Sequence, residues 1–451
     1  MTRFAFVVGL ALAIPIAYLA TYYDQTFLGV VLAAFWGLLC AIGLRRPRDP
    51  TWLTAVVIVG LLIRFPLVLA HLLIAVFVYG GQVDLYGFFG DAIEIPWKFL
   101  RGELELAAYY GSRNAGASII NTLSALIYLV VGPSLPGMFL GSGIVGFFGS
   151  CFFLRAFLTA FPTSAGLKGF ALAIFFFPSV AFWTSVLGKD SWMFFFLGGA
   201  SYCLAHLVQG VRPRYVVGLA LCIGLVTLIR PPIGIALLAA ASIPLLLIVR
   251  GHLGVGPVAI LRPVAYVLAI VVLSAALFAT SRGLYQYGVV SETDSAAEGL
   301  VTLALETRQG FSTDPGDAGE RSLGASLRSL PFAMFTFLFR PFIFEAHNAL
   351  ALAAALDSTL LLALVLWRCR HLWAGLRSAF TRPFPAYCVT ALVLFTAGLS
   401  FEANFGVIVR HRAMVVPFLF MLLFGPARRG EDEGPRRPAP APVSAGHASG
   451  A

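Results

Sequence analysis

Long apolar segments alternate with short polar ones along most of the chain. A helix that crosses the hydrocarbon of a membrane needs about 20 mostly apolar residues, and unpaired backbone groups exclude open strands there, so each long apolar run predicts a spanning helix. The pattern predicts an all-α polytopic membrane protein with about 12 transmembrane helices, at residues 4–20, 26–44, 52–79, 137–161, 169–187, 191–209, 214–230, 232–250, 259–281, 348–367, 385–400 and 411–426.

The short polar connections alternate in charge. One set is almost purely basic and comprises Arg45, Arg46, Arg48, Arg155, Lys168, Arg212, Arg214, Arg250, Arg262, Arg368, Arg370, Arg377, Arg382, Arg428 and Arg429. Because Lys and Arg are in excess on the cytoplasmic side, this set predicts the cytoplasmic face and places both termini there. The complementary set contains two long stretches, 80–117 and 281–330, which carry most of the acidic residues and are predicted to be outer loops.

Two apolar segments depart from this alternation. Counting 118–131 as a span would move Arg155 and Lys168 outside and invert every later loop, so it is predicted to be an in-plane or re-entrant helix of the first outer loop. The segment 331–345 is predicted to be a similar element that closes the second outer loop. One transmembrane domain then covers residues 1–426, and the Pro-, Ala- and Gly-rich remainder, 427–451, is predicted to be a disordered cytoplasmic tail.

Composition limits the class of protein. With 59% hydrophobic and 12% charged residues, the chain has too little polar surface to cover a soluble globule of 451 residues. Its net charge of +10 does not indicate a nucleic-acid partner, because the basic residues lie at segment ends rather than in a stripe with stacking aromatics. The N-terminal apolar run lacks a signal-peptide cleavage site, so a retained first span is expected.

Candidate chemistry begins with three acidic residues after the third predicted span. Asp84, Asp91 and Glu94 are held by that span at the outer membrane surface. A carboxylate there could act as a general base on an acceptor hydroxyl or hold a divalent metal, although no cofactor is certain. The alternative is a solvated loop carboxylate or a helix cap.

Cationic residues occupy two very short outer turns. Lys189 could neutralise a phosphate, and Asp190 could orient that lysine or cap the following helix. Arg230 could hold a phosphate bidentately. The alternatives are a hairpin turn with a local ion pair, and an arginine that extends to lipid headgroups.

Two further outer segments are dense in polar residues. Arg340, Glu345 and His347 lie within about eight residues of one another, where helix capping by Asn348 and an ion pair are the alternative. The last outer connection contains Glu402, Arg410, His411 and Arg412. Basic residues at an outer end are contrary to the usual excess of Lys and Arg on the cytoplasmic side, so these residues predict an anionic ligand. Inside the third span, Arg64 and His71 are seven residues apart and share one helical face.

The order of several short patches resembles the GT-C superfamily of membrane glycosyltransferases, especially its bacterial, envelope-polysaccharide members. The patches are Asp84-x-Tyr86, the 118–161 stretch with Ile127-Tyr128 and Val131-Gly132, Pro178-Ser179 through Gly188-Lys189-Asp190, and Arg410 to Arg412 leading to Pro417-Phe418. In that superfamily the first outer loop carries an acidic catalytic residue and in-plane helices. This chain departs from the pattern because its first loop lacks a clear Asp-Glu pair or Pro-Pro motif, and because it has no large soluble C-terminal domain.

The resemblance implies transfer of a glycosyl group from a polyprenyl-phosphate or diphosphate donor to a hydroxyl of a saccharide or lipid acceptor outside the plasma membrane. Asp91 or Asp84 would deprotonate the acceptor, while Lys189, Arg230, Arg410 and Arg412 would hold the lipid phosphate. A polysaccharide repeat-unit polymerase would use the same features. A lipid-linked sugar flippase or transporter is the alternative from another class, and a noncatalytic scaffold of an export complex is a third.

Overall fold

The computed structural model describes residues 26–43, 49–80, 84–103, 115–210, 212–251, 326–400 and 405–425, and this part of the chain is all-helical. Its first eight helices are α1 (Thr26–Gly43), α2 (Thr51–Leu62), α3 (Arg64–Phe77), α4 (Asp84–Leu100), α5 (Ala115–Val131), α6 (Leu135–Ala160), α7 (Leu167–Phe176) and α8 (Pro178–Trp183). The others are α9 (Lys189–Gln209), α10 (Pro213–Ile229), α11 (Pro231–Gly251), α12 (Ser326–Phe339), α13 (Ala349–Trp367), α14 (Cys369–Ser378), α15 (Pro383–Leu399) and α16 (Phe405–Phe424).

Five helical stretches in the described part are long and apolar enough to cross a membrane. They are Thr51–Phe77, Leu135–Ala160, Lys189–Gln209, Ala349–Trp367 and Gly406–Phe424, and α14 with α15 would make a sixth if that bent pair is one span. The predicted all-α class is confirmed, while the number of twelve spans stays a prediction. The predicted spans 4–20 and 259–281, residues 281–325 of the predicted loop 281–330, and the tail 427–451 lie outside the described residues.

The predicted span 169–187 is not one continuous helix. α7 ends at Phe176, Phe177 is extended, and Pro178 begins the six-residue α8. Proline lacks a backbone N–H and disfavours helical geometry in the residue before it, so the break at Phe177 follows from Pro178. Periodicity alone did not reveal this break, because apolar residues continue through it.

The two elements predicted to lie in the membrane plane are helical in different ways. The run 118–131 falls within α5, a single apolar helix, whereas 331–345 contains the end of α12 and a short 3₁₀ turn, Ile343–Glu345. Their in-plane orientation stays a prediction.

Polar contacts mark two opposite ends of the helix bundle. At the first end, which we call the basic end, Arg155 makes a bidentate ion pair with Asp49 at 2.9 and 2.5 Å, and Ser164 donates a hydrogen bond to the carbonyl of Phe424. At the other end, the first turns of α9 and α16 meet the end of α10. α9 and α16 thus begin at the end of the bundle where α10 ends.

α9, which begins at the end of the bundle opposite the basic end, packs very closely against α6. A Cβ atom added at Gly198 would lie 2.5 Å from the carbonyl oxygen of Gly149 on α6, so no side chain fits there. Small residues allow this approach between membrane helices, which gain their stability from van der Waals contact. The close packing fixes α9, and with it the residues of its first turn.

Candidate functional site

A glycine turn places two charged residues at the start of α9. Gly188 has φ +146° and ψ −160°, a region that side chains rarely allow, and it directly precedes Lys189 and Asp190. A Cβ atom at Gly188 would lie 3.5 Å from the ring of Phe88 on α4. This turn therefore touches the helix that carries the three acidic candidates.

Asp190 is the centre of a cluster that joins three helices. It is 2% exposed, and it accepts hydrogen bonds from Arg230 at the end of α10, at 3.2 Å, and from Arg410 on α16. Arg230 also hydrogen-bonds to the ring of His411. We call Asp190, Arg230, Arg410 and His411 the Asp190 cluster.

The described residues of the Asp190 cluster include more cationic groups than carboxylates. Two guanidinium groups face one carboxylate, and Lys189 adds a further cation from the same helical turn. The arginine side chains are 18% and 30% exposed, so the cationic side of the cluster is open while Asp190 is enclosed. The N-terminus of α9 contributes unsatisfied backbone N–H groups and a favourable dipole. Such an arrangement can bind an anion.

Aromatic side chains border this cluster. The guanidinium carbon of Arg410 lies 5.9 Å from the ring centre of Trp183, which is itself 5.9 Å from the ring of His71. His71 hydrogen-bonds to the carbonyl oxygen of Phe182 at 2.8 Å and stacks on its ring. The cluster therefore has cationic and aromatic surfaces side by side.

The acidic candidates on α4 differ in their surroundings. Asp91 is exposed, and its Oδ2 accepts a hydrogen bond of 2.6 Å from the amide of Asn121 on α5. Glu94 instead pairs with Lys98 on its own helix, and the hydrogen bond from that lysine lowers the pKa of the Glu94 carboxyl. Asp84 begins α4, and its side chain lies outside the described part of the structure.

Asn121 was not identified from the sequence. It is 5% exposed, and because an ionised carboxylate only accepts hydrogen bonds, its amide nitrogen must face Asp91. The single amide inside the apolar run 118–131 was the signal that could have revealed it. Asn121 fixes one oxygen of Asp91 and leaves the other for a ligand.

Arg412 belongs to a different cluster from Arg410. Two residues span about 200° around a helix, so these arginines leave α16 in opposite directions. The Arg412 side chain is fully buried, donates a 2.7 Å hydrogen bond to Ser358 on α13 and lies 3.8 Å from Asp357. The sequence interpretation had placed both arginines at one phosphate, and the structure does not bring Arg412 there.

Arg340 and Glu345 also lie in this second region. They form an ion pair with each other, and the carbonyl of Arg340 accepts a hydrogen bond from Arg412. His347 is exposed and contacts the carbonyl of Glu345, while Asn348 caps α13. Local pairing and capping account for this segment, which corresponds to the alternative interpretation of its sequence. Glu402 lies outside the described residues.

Charged side chains hold both ends of the short helix α8. Asp357, buried in the middle of α13, accepts a 2.8 Å hydrogen bond from the N–H of Ser179 at the first turn. Fully buried Arg64 donates to the carbonyl of Ala181 at 3.0 Å and to Thr184 beyond the last turn. These charges complement the helix dipole. Asp357 was missed in the sequence although a lone carboxylate within an apolar span is itself a functional signal.

Metal ligation was a further possibility for the acidic residues. Within the described residues, His, Cys, Asp and Glu side chains do not gather in a group of three or more that could hold a metal ion. Comparisons of this chain with protein-family models, curated proteins and solved structures found no match. The function is therefore inferred from the geometry of the described residues.

Proposed function

We propose that this chain is a membrane glycosyltransferase of GT-C-like architecture. It transfers a glycosyl group from a polyprenyl-phosphate or diphosphate donor to an acceptor hydroxyl, in cell-envelope or exopolysaccharide synthesis. The observation that carries the proposal is the cationic Asp190 cluster beside α4, whose Phe88 contacts the Gly188 turn. In this proposal the site faces outward from the plasma membrane, and the basic end faces the cytoplasm.

The phosphate group of the donor binds at the Asp190 cluster. Arg230 and Arg410 both contact Asp190, and Lys189 precedes it in the same helical turn, so a phosphate that binds here meets several cationic side chains. Asp190 holds the two arginines in fixed positions before the donor arrives. Preorganised cations of this kind stabilise the negative charge that develops on a leaving phosphate.

The acceptor is activated by a carboxylate of α4. Asp91 is the favoured base, because Asn121 orients it and because Lys98 engages Glu94 instead. Asp91 accepts the proton of the acceptor hydroxyl as its oxygen attacks the anomeric carbon. The bond from that carbon to the phosphate oxygen breaks, and the polyprenyl phosphate leaves as an anion. Asp84 remains the alternative base.

The direct test is transfer from synthetic short-chain polyprenyl-phosphate monosaccharides by the purified protein, with products identified by mass spectrometry. Asp91→Asn should reduce transfer by about 10²- to 10⁴-fold, the usual contribution of a general base. Glu94→Gln, on the same helix and one turn away, is the matched control and should retain most of the activity.

Each negative outcome has a definite meaning. Loss of transfer in Asp84→Asn but not in Asp91→Asn would make Asp84 the base. Full activity in both variants would remove the base from α4, and no transfer by the wild-type protein from any donor would contradict the proposed function.

Transport of a lipid-linked sugar is a second candidate, supported by the charges inside the spans. Arg64 and Asp357 contact the two ends of α8, which is separated from α7 by the break at Phe177. Interrupted helices with buried charges are typical of transporters. Movement of a fluorescent polyprenyl phosphate between the leaflets of reconstituted vesicles would test it. Transport that is lost in Asp357→Asn and retained in Asp91→Asn would favour this function over the transferase.

A further inference from the structure

The helix α14 presents an unusual surface at the basic end. Its sequence and the turn after it, residues 368–382, contain four arginines and no acidic residue. The exposed side chains Arg370, Trp373 and Arg377 are spaced by three and four residues, so they form one stripe along a single face of α14, and exposed Phe380 follows in the turn after the helix. Trp373 is 57% exposed and Phe380 is 86% exposed. Arginine and aromatic side chains thus alternate on a surface that is exposed in the described part of the chain.

The opposite face of α14 is fixed to the bundle. Gly375 is buried, and a Cβ atom there would lie 2.9 Å from the carbonyl oxygen of Leu422 near the end of α16. Just before α14, Arg368 donates a 3.1 Å hydrogen bond to the carbonyl of Leu423. α14 therefore has one face committed to protein packing and one face available to its surroundings.

The orientation of α14 places the exposed stripe at a membrane surface. α14 and α15 are bent by 112° with respect to each other, and α14 crosses the last turn of α16. A helix that turns sharply away from an apolar helix at the end of a bundle lies close to the plane of the bilayer surface. Arginines beside tryptophan and phenylalanine are the composition of helices that lie in this interface.

We propose that the stripe of α14 binds anionic phospholipid headgroups, with phosphatidylglycerol as the representative lipid. Arg370 and Arg377 contact the lipid phosphates, while Trp373 and Phe380 insert at the boundary between headgroups and acyl chains. The guanidinium carbon of Arg377 lies 5.0 Å from the ring centre of Trp373, so a cation and an aromatic ring are already adjacent. The four arginines of segment 368–382, which contains no Asp or Glu, favour an anionic lipid over a zwitterionic one.

This lipid surface is separate from the Asp190 cluster. Fourteen residues of α16 separate Arg410 from Phe424, which corresponds to about 21 Å along the helix. The test of lipid binding is therefore independent of the test of the transferase proposal.

The test is native mass spectrometry of the detergent-purified full chain, titrated with phosphatidylglycerol or phosphatidylcholine. The wild-type protein should bind phosphatidylglycerol more tightly than phosphatidylcholine. Each arginine near a membrane surface contributes about 1 kcal/mol, so Arg370→Gln with Arg377→Gln should weaken phosphatidylglycerol binding about 30-fold. The matched control is Arg212→Gln with Arg214→Gln, two exposed arginines at the start of α10 and at the same end of the bundle, and this variant should bind as the wild type does.

Two further variants separate charge from structural damage. Arg370→Lys with Arg377→Lys keeps the charge and should retain most of the preference for phosphatidylglycerol. Trp373→Ala should weaken binding of both lipids, because it removes apolar contact rather than charge. Equal binding of the two lipids by the wild-type protein would overturn the proposal, as would equal losses in the control pair and in the α14 pair. An acidic protein partner that binds purified chain regardless of lipid would likewise contradict it.

Discussion

Replacing Asp190 with asparagine tests the central feature of the site. The substitution keeps the shape of the side chain and removes the charge that holds Arg230 and Arg410. Loss of one partner from a buried ion pair costs about 3–5 kcal/mol. The two arginines are 18% and 30% exposed and regain some hydration, so the lower value, about 3 kcal/mol, is expected.

The same substitution should strengthen anion binding. Removing one negative charge that lies about 5 Å from a bound anion should make the binding free energy more favourable by up to about 3 kcal/mol per unit charge of the anion. This value assumes an effective dielectric constant of about 20 and no screening by salt. Pyrophosphate, which resembles the headgroup of a polyprenyl diphosphate, is the probe. It should raise the unfolding temperature of Asp190→Asn in detergent more than that of the wild-type protein, because ligand binding to the folded state stabilises it.

Asp357→Asn provides the matched control for this experiment. It also removes a carboxylate beside a buried arginine, and it should lower the unfolding temperature without any additional response to pyrophosphate. If Asp190→Asn unfolds at the wild-type temperature, or if pyrophosphate stabilises it no more than the wild type, then the Asp190 cluster does not bind anions in the way we describe.

Three further predictions concern other parts of the structure. Asn121→Ala should lower kcat about 10-fold or more with little change in KM, because Asp91 loses its orienting bond, and equal changes in both constants would contradict a positioning role. In a variant that keeps Cys369 as its single cysteine, an impermeant maleimide should label this residue only from the cytoplasmic side, and labelling from outside would contradict the predicted topology. Burial opposes ionisation of Glu345, yet hydrogen bonds from Arg340 lower the pKa of its carboxyl, so Glu345→Gln should lower the unfolding temperature at pH 7. That difference should disappear as the pH falls through the lowered pKa, and a difference that persists in acid would exclude the ion pair as its cause.

Helices and their ends could be predicted from local sequence. Apolar length identifies α6, α9, α13 and α16, since the membrane requires continuous internal hydrogen bonding. The charged turn at Gly188 was also visible, because a glycine between two apolar runs interrupts both. Pro178 could have predicted the helix break at Phe177, but the apolar residues continue on both sides of it and the segment was therefore predicted to be one helix.

The partners of the site residues could not be predicted in the same way. Asp190 is 40 residues from Arg230 and 220 from Arg410, and their meeting depends on how three helices pack. Grouping by proximity in sequence placed Arg412 with Arg410, although helical periodicity separates them by about 200°. Asn121 was hidden because its importance comes from the residue it contacts on another helix.

Charge balance distinguishes the arginine groups at membrane depth in the described part of the chain. Around Arg412, two carboxylates, Asp357 and Glu345, match two arginines, so this region is electrostatically complete and can serve as a structural clamp. In the described part of the chain, Arg64 contacts hydroxyl and carbonyl groups and its side chain is fully buried, so no ligand can reach it. The Asp190 cluster differs from both, because it joins two partly exposed arginines to a single buried carboxylate. Burying a carboxylate to hold two partly exposed arginines costs desolvation energy, and in the proposed function these arginines bind an anionic substrate at the membrane surface.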